Sequence, residues 1–293
     1  MDKKNYNLTD ISVIKQVMGN HGVTFQKGLG QNFLINPTVC PRMAEAVSES
    51  SENKIGVLEI GAGVGVLTKE LLLRCDKVCC VELDTRLFPV LEDTLSGFDN
   101  LTLINDDILK TDLQKLIKEN FEGMDVFVCA NLPYYITSPV IMRLLEEKLP
   151  FKKIIVMVQK EAGDRLTAPV GTRECGAVTV AVNYYAKAKK LFGVSRGSFM
   201  PSPNVDSCVI ELDLTEKKDY NIKDEKLFFK IVKSAFAQRR KTLLNSLSSG
   251  LSIEKSELSK AFQMAGLSGT LRAEALTMEN FAELSNAISK IKE

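Results

Sequence analysis

The chain has 293 residues, 45% of them hydrophobic and 26% charged, which is ordinary globular composition for one large or two modest domains. Its single histidine, His21, argues against hydrolytic triads and transition-metal sites, which draw on imidazoles. The net charge of +1 hides an asymmetry: residues 1–186 hold 20 Lys and Arg against 24 Asp and Glu, while residues 187–293 hold 18 against 13. The back third is basic and suits an acidic polymer.

The segment around Ile11, Val13, Ile14, Val17 and Met18 has helical spacing and leads into a glycine-bearing loop, Lys27-Gly28-Leu29-Gly30-Gln31-Asn32-Phe33-Leu34. From Pro37 onward, helical patterns alternate with short apolar runs at Ile55 to Ile60, Val78 to Val81, Leu101 to Ile104, Val126 to Ala130 and Ile154 to Val158. That alternation predicts an α/β fold with an open, mostly parallel sheet. Cys208, Ile210, Leu212 and Leu214 alternate with Ser207, Val209, Glu211 and Asp213 and predict a last, partly exposed strand, antiparallel to the rest.

Thr215-Glu216-Lys217-Lys218-Asp219 breaks the apolar pattern and is the linker candidate, giving a first domain over residues 1–214 and a helical C-terminal domain over residues 215–293. Helical spacing resumes at Leu227 to Phe236, Leu258 to Ala265 and Phe281 to Ile288. Phe228, Phe229 and Met264 are expected in the helical core. The seven cysteines include no C-x-x-C pair, and Cys79-Cys80 lies in an apolar run, so thiols packed in a reducing compartment are expected. No apolar stretch reaches the roughly 18 residues of a membrane span, and the first residues lack an apolar signal core. The expectation is a cytoplasmic protein with no membrane partner.

Val57-Leu58-Glu59-Ile60-Gly61-Ala62-Gly63-Val64-Gly65 runs a strand into a glycine turn that opens a helix, so backbone can approach a ligand closely. Its G-x-G-x-G spacing departs from the G-x-G-x-x-G of dinucleotide sites and disfavours an NAD-dependent dehydrogenase. Glu82 ends the next apolar run, where a carboxylate could accept both hydroxyls of a ribose. Asp107, after the third, could accept the amine of an adenine. Acidic residues at strand ends are often merely solvated, but three such features at successive strand ends fit an adenosine-containing sulfonium such as S-adenosylmethionine.

Asn131-Leu132-Pro133-Tyr134 follows the fourth strand. Alone it is a rigid turn. Behind this glycine loop it suits the gripping of an exocyclic amine, with the Asn131 side-chain oxygen and a backbone carbonyl accepting the two N–H bonds and Tyr134 stacking on the base. Such a grip needs no strong base, in keeping with a chain nearly devoid of histidine.

These motifs, with Phe199-Met200-Pro201-Ser202-Pro203-Asn204-Val205-Asp206-Ser207 and Arg239-Arg240-Lys241-Thr242-Leu243, occur in the order found in the ribosomal RNA adenine N6-dimethyltransferases, and the chain resembles the small-subunit type from end to end. The resemblance implies a Rossmann-like class I methyltransferase sheet, S-adenosyl-L-methionine as cofactor with S-adenosyl-L-homocysteine as product, and dimethylation of N6 on two adjacent adenines in the 3′-terminal hairpin of 16S rRNA. The partner would be that RNA within the small ribosomal subunit or its precursor, met by a monomer. Asn32 and Leu34 would line the cofactor pocket, Gly61 would lie against the methionine part, Glu82 would hold the ribose and Asp107 the adenine. Asn131 would sit between cofactor and target, Leu132 and Tyr134 would complete the target site, and Phe199 would form its opposite wall.

The resemblance also places Arg239, Arg240 and Lys241 in the helical domain that faces RNA, although cations at a helix end are commonly just solvated. Lys27, Lys187, Lys189, Lys190 and Arg196 are further cationic candidates, and His21 reads as a loop residue. Two other readings stand beside the main one: a macrolide-resistance enzyme dimethylating 23S rRNA, and a noncatalytic RNA-binding assembly factor on the same fold.

Overall fold

The computed structural model describes residues 6–24, 32–216, 218–238 and 240–292. The strands are β1 Phe33–Leu34, β2 Ile55–Ile60, β3 Lys77–Glu82, β4 Leu101–Asn105, β5 Asp125–Asn131, β6 Phe151–Gln159, β7 Lys187–Val194, β8 Phe199–Met200 and β9 Ser207–Asp213. The helices between them begin with α1 Ile11–Asn20, α2 Val39–Ser48, α3 Val66–Leu72 and α4 Phe88–Thr94. Then come α5 Leu113–Asn120, α6 Thr137–Glu146, α7 Lys160–Leu166 and α8 Ala177–Tyr185. After β9 the chain is helical, with α9 Glu225–Phe236, α10 Leu243–Leu251, α11 Lys255–Met264 and α12 Met278–Lys292.

Seven strands form one sheet in the order β4-β3-β2-β5-β6-β9-β7. Pairings from β4 through β6 are parallel, and β9 runs antiparallel to β6 with Ser207 opposite Gln159. The order reverses direction between β2 and β5, and in open α/β sheets a ligand crevice forms at such a switch point, beyond the carboxyl ends of the strands. β2 is buried throughout and β5 nearly so, which is why their sequences are continuous apolar runs rather than alternating ones. Helix starts carry their own signals: Asp10, Asp112 and Asp224 accept the amides of Ser12, Lys115 and Leu227 at 2.8–2.9 Å.

Three expectations are corrected. β9 is buried over Ser207 to Leu212 rather than partly exposed, because β7 lies beyond it and makes it an internal strand. Its polar Glu211 is accommodated by Lys153 at 3.6 Å and Lys189 at 2.8 Å. Lys189, a candidate for RNA, is thus engaged within the sheet, and Lys187 pairs with Glu216 at 2.7 Å. Met264 is 54% exposed, since α11 buries the face of Leu258, Ala261 and Phe262 instead.

The third correction concerns organisation. The chain divides into two compact units, residues 1–163 with 189–215 and residues 164–188 with 216–293, so α8 joins the helical unit rather than the first. Packing explains it. Tyr185 stacks on Phe229 of α9 with centroids 5.3 Å apart, Tyr184 meets the same ring edge-on, and both hydroxyls donate to Glu225, at 3.0 Å from Tyr184 and 2.8 Å from Tyr185. Phe228 and Phe229 are buried as expected. By these boundaries the helical unit holds 17 Lys and Arg against 12 Asp and Glu, and the sheet unit 21 against 25.

All seven cysteines are free and buried. Among the described residues, no helix is long and apolar enough to cross a membrane.

Candidate active site

At the carboxyl ends of β2, β3, β4 and β5 lies a cavity lined by Asn32, Leu34, Gly61, Glu82, Asp107, Asn131, Leu132, Tyr134 and Phe199, among others. Six positions expected at cofactor or target from the strand-end motifs, Asn32 and Leu34 from the N-terminal loop, and Phe199 from the proline-rich stretch are therefore brought together. Lys27 to Gln31 lie outside the described residues.

The glycine turn is built by backbone geometry. Gly61 and Gly63 have φ of +76° and +59°, a region L side chains rarely occupy. No atom would meet a Cβ at Gly61 within 4 Å, so the turn leaves open space there for a ligand.

Glu82 reaches back beneath this loop: Gly63 N donates to its Oε2 at 3.1 Å and Asp84 N to its Oε1 at 2.9 Å. Burial raises its pKa above the ordinary value, and those two amides act in the opposite sense. Each oxygen keeps lone-pair capacity for a further donor, which suits a vicinal diol.

Asp107 is held by its own loop, with Oδ1 accepting Leu109 N at 3.0 Å. Its backbone carbonyl accepts the hydroxyl of Thr111 at 3.0 Å. Arg143 on α6 donates to the carbonyls of Ile108 and Thr111 and to Glu147, pinning the acidic loop to the helix behind it. Sequence reading missed Arg143, because nothing local marks an arginine that bonds carbonyls 32 and 35 residues away.

Asn131 ends β5 opposite Met157, and the Leu132 amide donates to the Met157 carbonyl at 3.2 Å. Neither the Asn131 side-chain amide nor the Leu132 carbonyl has a hydrogen-bond partner among the described residues. Both are therefore open to a ligand that donates hydrogen bonds. Tyr134 is fixed by a hydrogen bond of 2.8 Å between its hydroxyl and Ser207 Oγ on β9, and burial raises its pKa. Phe199 is only 2% exposed, so it forms wall rather than open ring face.

A second residue missed as such is Glu59, quoted only as part of the glycine motif. It is 1% exposed on β2, lines the cavity and accepts Cys80 Sγ at 3.0 Å. Burial pushes its carboxyl up to about 7, with bonds from Cys80 and Thr68 pulling the other way.

This arrangement can hold an adenosine-type ligand on two carboxylates and present an exocyclic amine to it. The model of the ribosomal RNA adenine dimethylase family matches residues 22–290. The chain belongs to that family. It is an S-adenosylmethionine-dependent rRNA adenine dimethyltransferase on a class I methyltransferase sheet.

The chain is 44% identical over 280 residues to ribosomal RNA small subunit methyltransferase A of Bacillus pumilus, covering 94% of this chain and 95% of the relative. Among solved structures it resembles a dimethyladenosine transferase from Plasmodium falciparum, with a TM-score of 0.68 and 25% identity, over 88% of this chain and 98% of that one. The 23S rRNA methyltransferase ErmE superposes with a TM-score of 0.63 at 24% identity, over 88% of this chain and all of that one, and shows the fold alone.

In the helical unit, Arg240 and Lys241 are exposed in the turn between α9 and α10, with the Lys241 amide donating to the Gln238 carbonyl at 2.9 Å. Arg239 lies outside the described residues. His21 bonds Asp93 at 3.2 Å.

Proposed function

We propose that the chain transfers methyl groups to N6 of two adjacent adenines in the 3′-terminal hairpin of 16S rRNA, as a cytoplasmic monomer acting on the small ribosomal subunit or its precursor. The observation that carries this reading is the pair of unused acceptors, Asn131 Oδ1 and the Leu132 carbonyl, beside the anchored Tyr134. The small-subunit target is favoured over 23S rRNA by relatives of that name that match 94% of the chain at 44% identity. A noncatalytic factor would have no use for Glu82, Asp107 and Asn131 kept together in one cavity.

When bound, S-adenosylmethionine supplies an electrophilic methyl group on a sulfonium sulfur. Glu82 would take the ribose hydroxyls and Asp107 the adenine amine, and Asn32, Leu34 and Gly61, which line the same cavity, would form the remaining walls. Asn131 and the Leu132 carbonyl take the two N–H bonds of the target amine and turn its lone pair out of the ring plane. Tyr134 supports the base by stacking. Rate then comes from orientation, so no side chain has to act as a strong base. After the first transfer the N6 cation releases one of its two protons to water, so one N–H remains and only one of the two acceptors stays satisfied. Arg240 and Lys241, with Arg239, serve RNA phosphates, which give affinity without reading sequence.

The test is transfer of labelled methyl from S-adenosylmethionine to unmethylated small subunits and, in parallel, to 23S rRNA, with the products identified by mass. Dimethyladenosine on small subunits, approaching four methyls per particle, is expected. Label on 23S rRNA alone would overturn the target, and none on either would overturn the activity.

A further inference from the structure

The large apolar side chains that stay exposed among the described residues are unevenly placed. Leu83 follows β3, Leu109 lies beyond β4, Tyr135 follows β5, Met200 is in β8 and Val205 leads into β9; only Leu73 and Met264 lie elsewhere. The first three sit past the carboxyl ends of parallel strands. Val205 joins them because β9 starts opposite the end of β6, and Met200 because β8 pairs with β1, whose residues line the cavity. The exposed apolar groups thus gather around the mouth of one cavity, and Leu83 and Tyr135 are part of its lining.

Tyr135 is the most exposed of them, at 63%, and has no hydrogen-bond or ring partner among the described residues. Its neighbour Tyr134 is tied to Ser207, so the two consecutive rings of this short turn have separate fates, one anchored and one open to solvent. Apolar surface collected at the rim of a site marks a contact with a partner. Asp106 and Asp107 line the same cavity against a single ion-paired lysine, Lys110 at 3.4 Å from Asp107, so the local charge disfavours phosphate. A nucleic acid approaching here is favoured base-first, on a surface that offers stacking rather than charge.

We propose that Tyr135, in a cavity lining it shares with Leu83, is a positioning platform on which the unpaired base next to the target adenine stacks while the target occupies the pocket. This rests on the rRNA reading above and adds a specificity-determining residue to it. For a substrate with two adjacent adenines, the platform holds one base while the other reacts.

The experiment is a double-substitution cycle. Wild type, Tyr135→Ala, Tyr135→Phe and Tyr135→Trp are assayed on small subunits reconstituted with 16S rRNA that is intact or abasic at the position beside the target. Tyr135→Ala should lower kcat/KM about ten-fold on intact particles, mainly through KM, as loss of one base–aromatic stack does. Tyr135→Phe and Tyr135→Trp should restore it, and S-adenosylmethionine affinity should be the same throughout. The abasic particle should cost wild type the same factor and cost Tyr135→Ala nothing more. Equal abasic penalties in wild type and Tyr135→Ala, or a kcat/KM for Tyr135→Ala within two-fold of wild type, would overturn the platform. A Tyr135→Phe as weak as Tyr135→Ala would assign the contact to the hydroxyl and overturn stacking. No transfer by wild type to intact particles would instead overturn the parent reading, and the platform with it.

Discussion

The two units of this chain handle charge in opposite ways. The sheet unit carries an excess of acid and spends its carboxylates indoors: Glu59 and Glu82 are buried, and each is held by specific donors. The helical unit carries an excess of base and leaves Arg240 and Lys241 in an exposed turn, while its core packs aliphatic side chains around the rings of Tyr184, Tyr185, Phe228 and Phe229. A buried, bonded carboxylate fixes geometry, whereas an exposed cation gives salt-dependent attraction and little geometry. On the proposed reading, chemistry and affinity for a polyanion are built from different residues, and substitutions should separate them.

The sharpest separation is expected at Asn131. Asn131→Ala should lower methyl transfer about 1,000-fold by removing an oriented acceptor, with S-adenosylmethionine binding measured by calorimetry nearly intact. Unchanged turnover would break the assignment of chemistry to the end of β5.

Glu59→Gln tests the buried acid through stability. The ordinary carboxyl value is 4.5 and burial lifts it to about 7, so the folded chain keeps a proton that the unfolded chain releases. The stability this group lends is whole below pH 4.5 and is lost as pH rises through 7, by about 3 kcal/mol. Glu59→Gln should therefore melt higher than wild type at pH 8 and match it near pH 4. Parallel melting curves at both pH values would show that Glu59 is not buried as described.

Glu82→Ala should weaken cofactor binding roughly 10- to 100-fold, the range for hydrogen bonds to a charged group, and leave small-subunit binding unchanged. The smallest effect should come from the helical unit. Arg240→Glu with Lys241→Glu should weaken particle binding about ten-fold at low salt and reduce the salt slope by about two, with cofactor affinity untouched. Loss of cofactor binding in that variant would mean that the two units are not separable in this way.

Much of the sheet was legible because a central parallel strand is an uninterrupted apolar run, and β2, β5 and β6 announce themselves so. The cavity was legible because its groups sit at the ends of those runs. β7 was not: as the outer neighbour of β9 it carries Lys187, Lys189 and Lys190, which read as a basic cluster rather than a strand. The membership of α8 was also hidden. It depends on Tyr184 and Tyr185 meeting Phe228 and Phe229 more than 40 residues later, and no local period encodes that contact. Arg143 lay outside any motif because it acts through carbonyls, and Tyr135, at the end of one, had no role of its own because it is notable only for being exposed.

The hydrogen bond between Tyr134 and Ser207 bears on how this architecture can be re-engineered. The turn that carries Tyr134 belongs to the end of β5, yet its ring is tethered by the first residue of β9, 73 positions downstream. Asn131-Leu132-Pro133-Tyr134 is thus half of a two-piece part. Grafted alone onto another sheet it would leave its ring without the Ser207 tether, and a transplant meant to keep this geometry has to include β9.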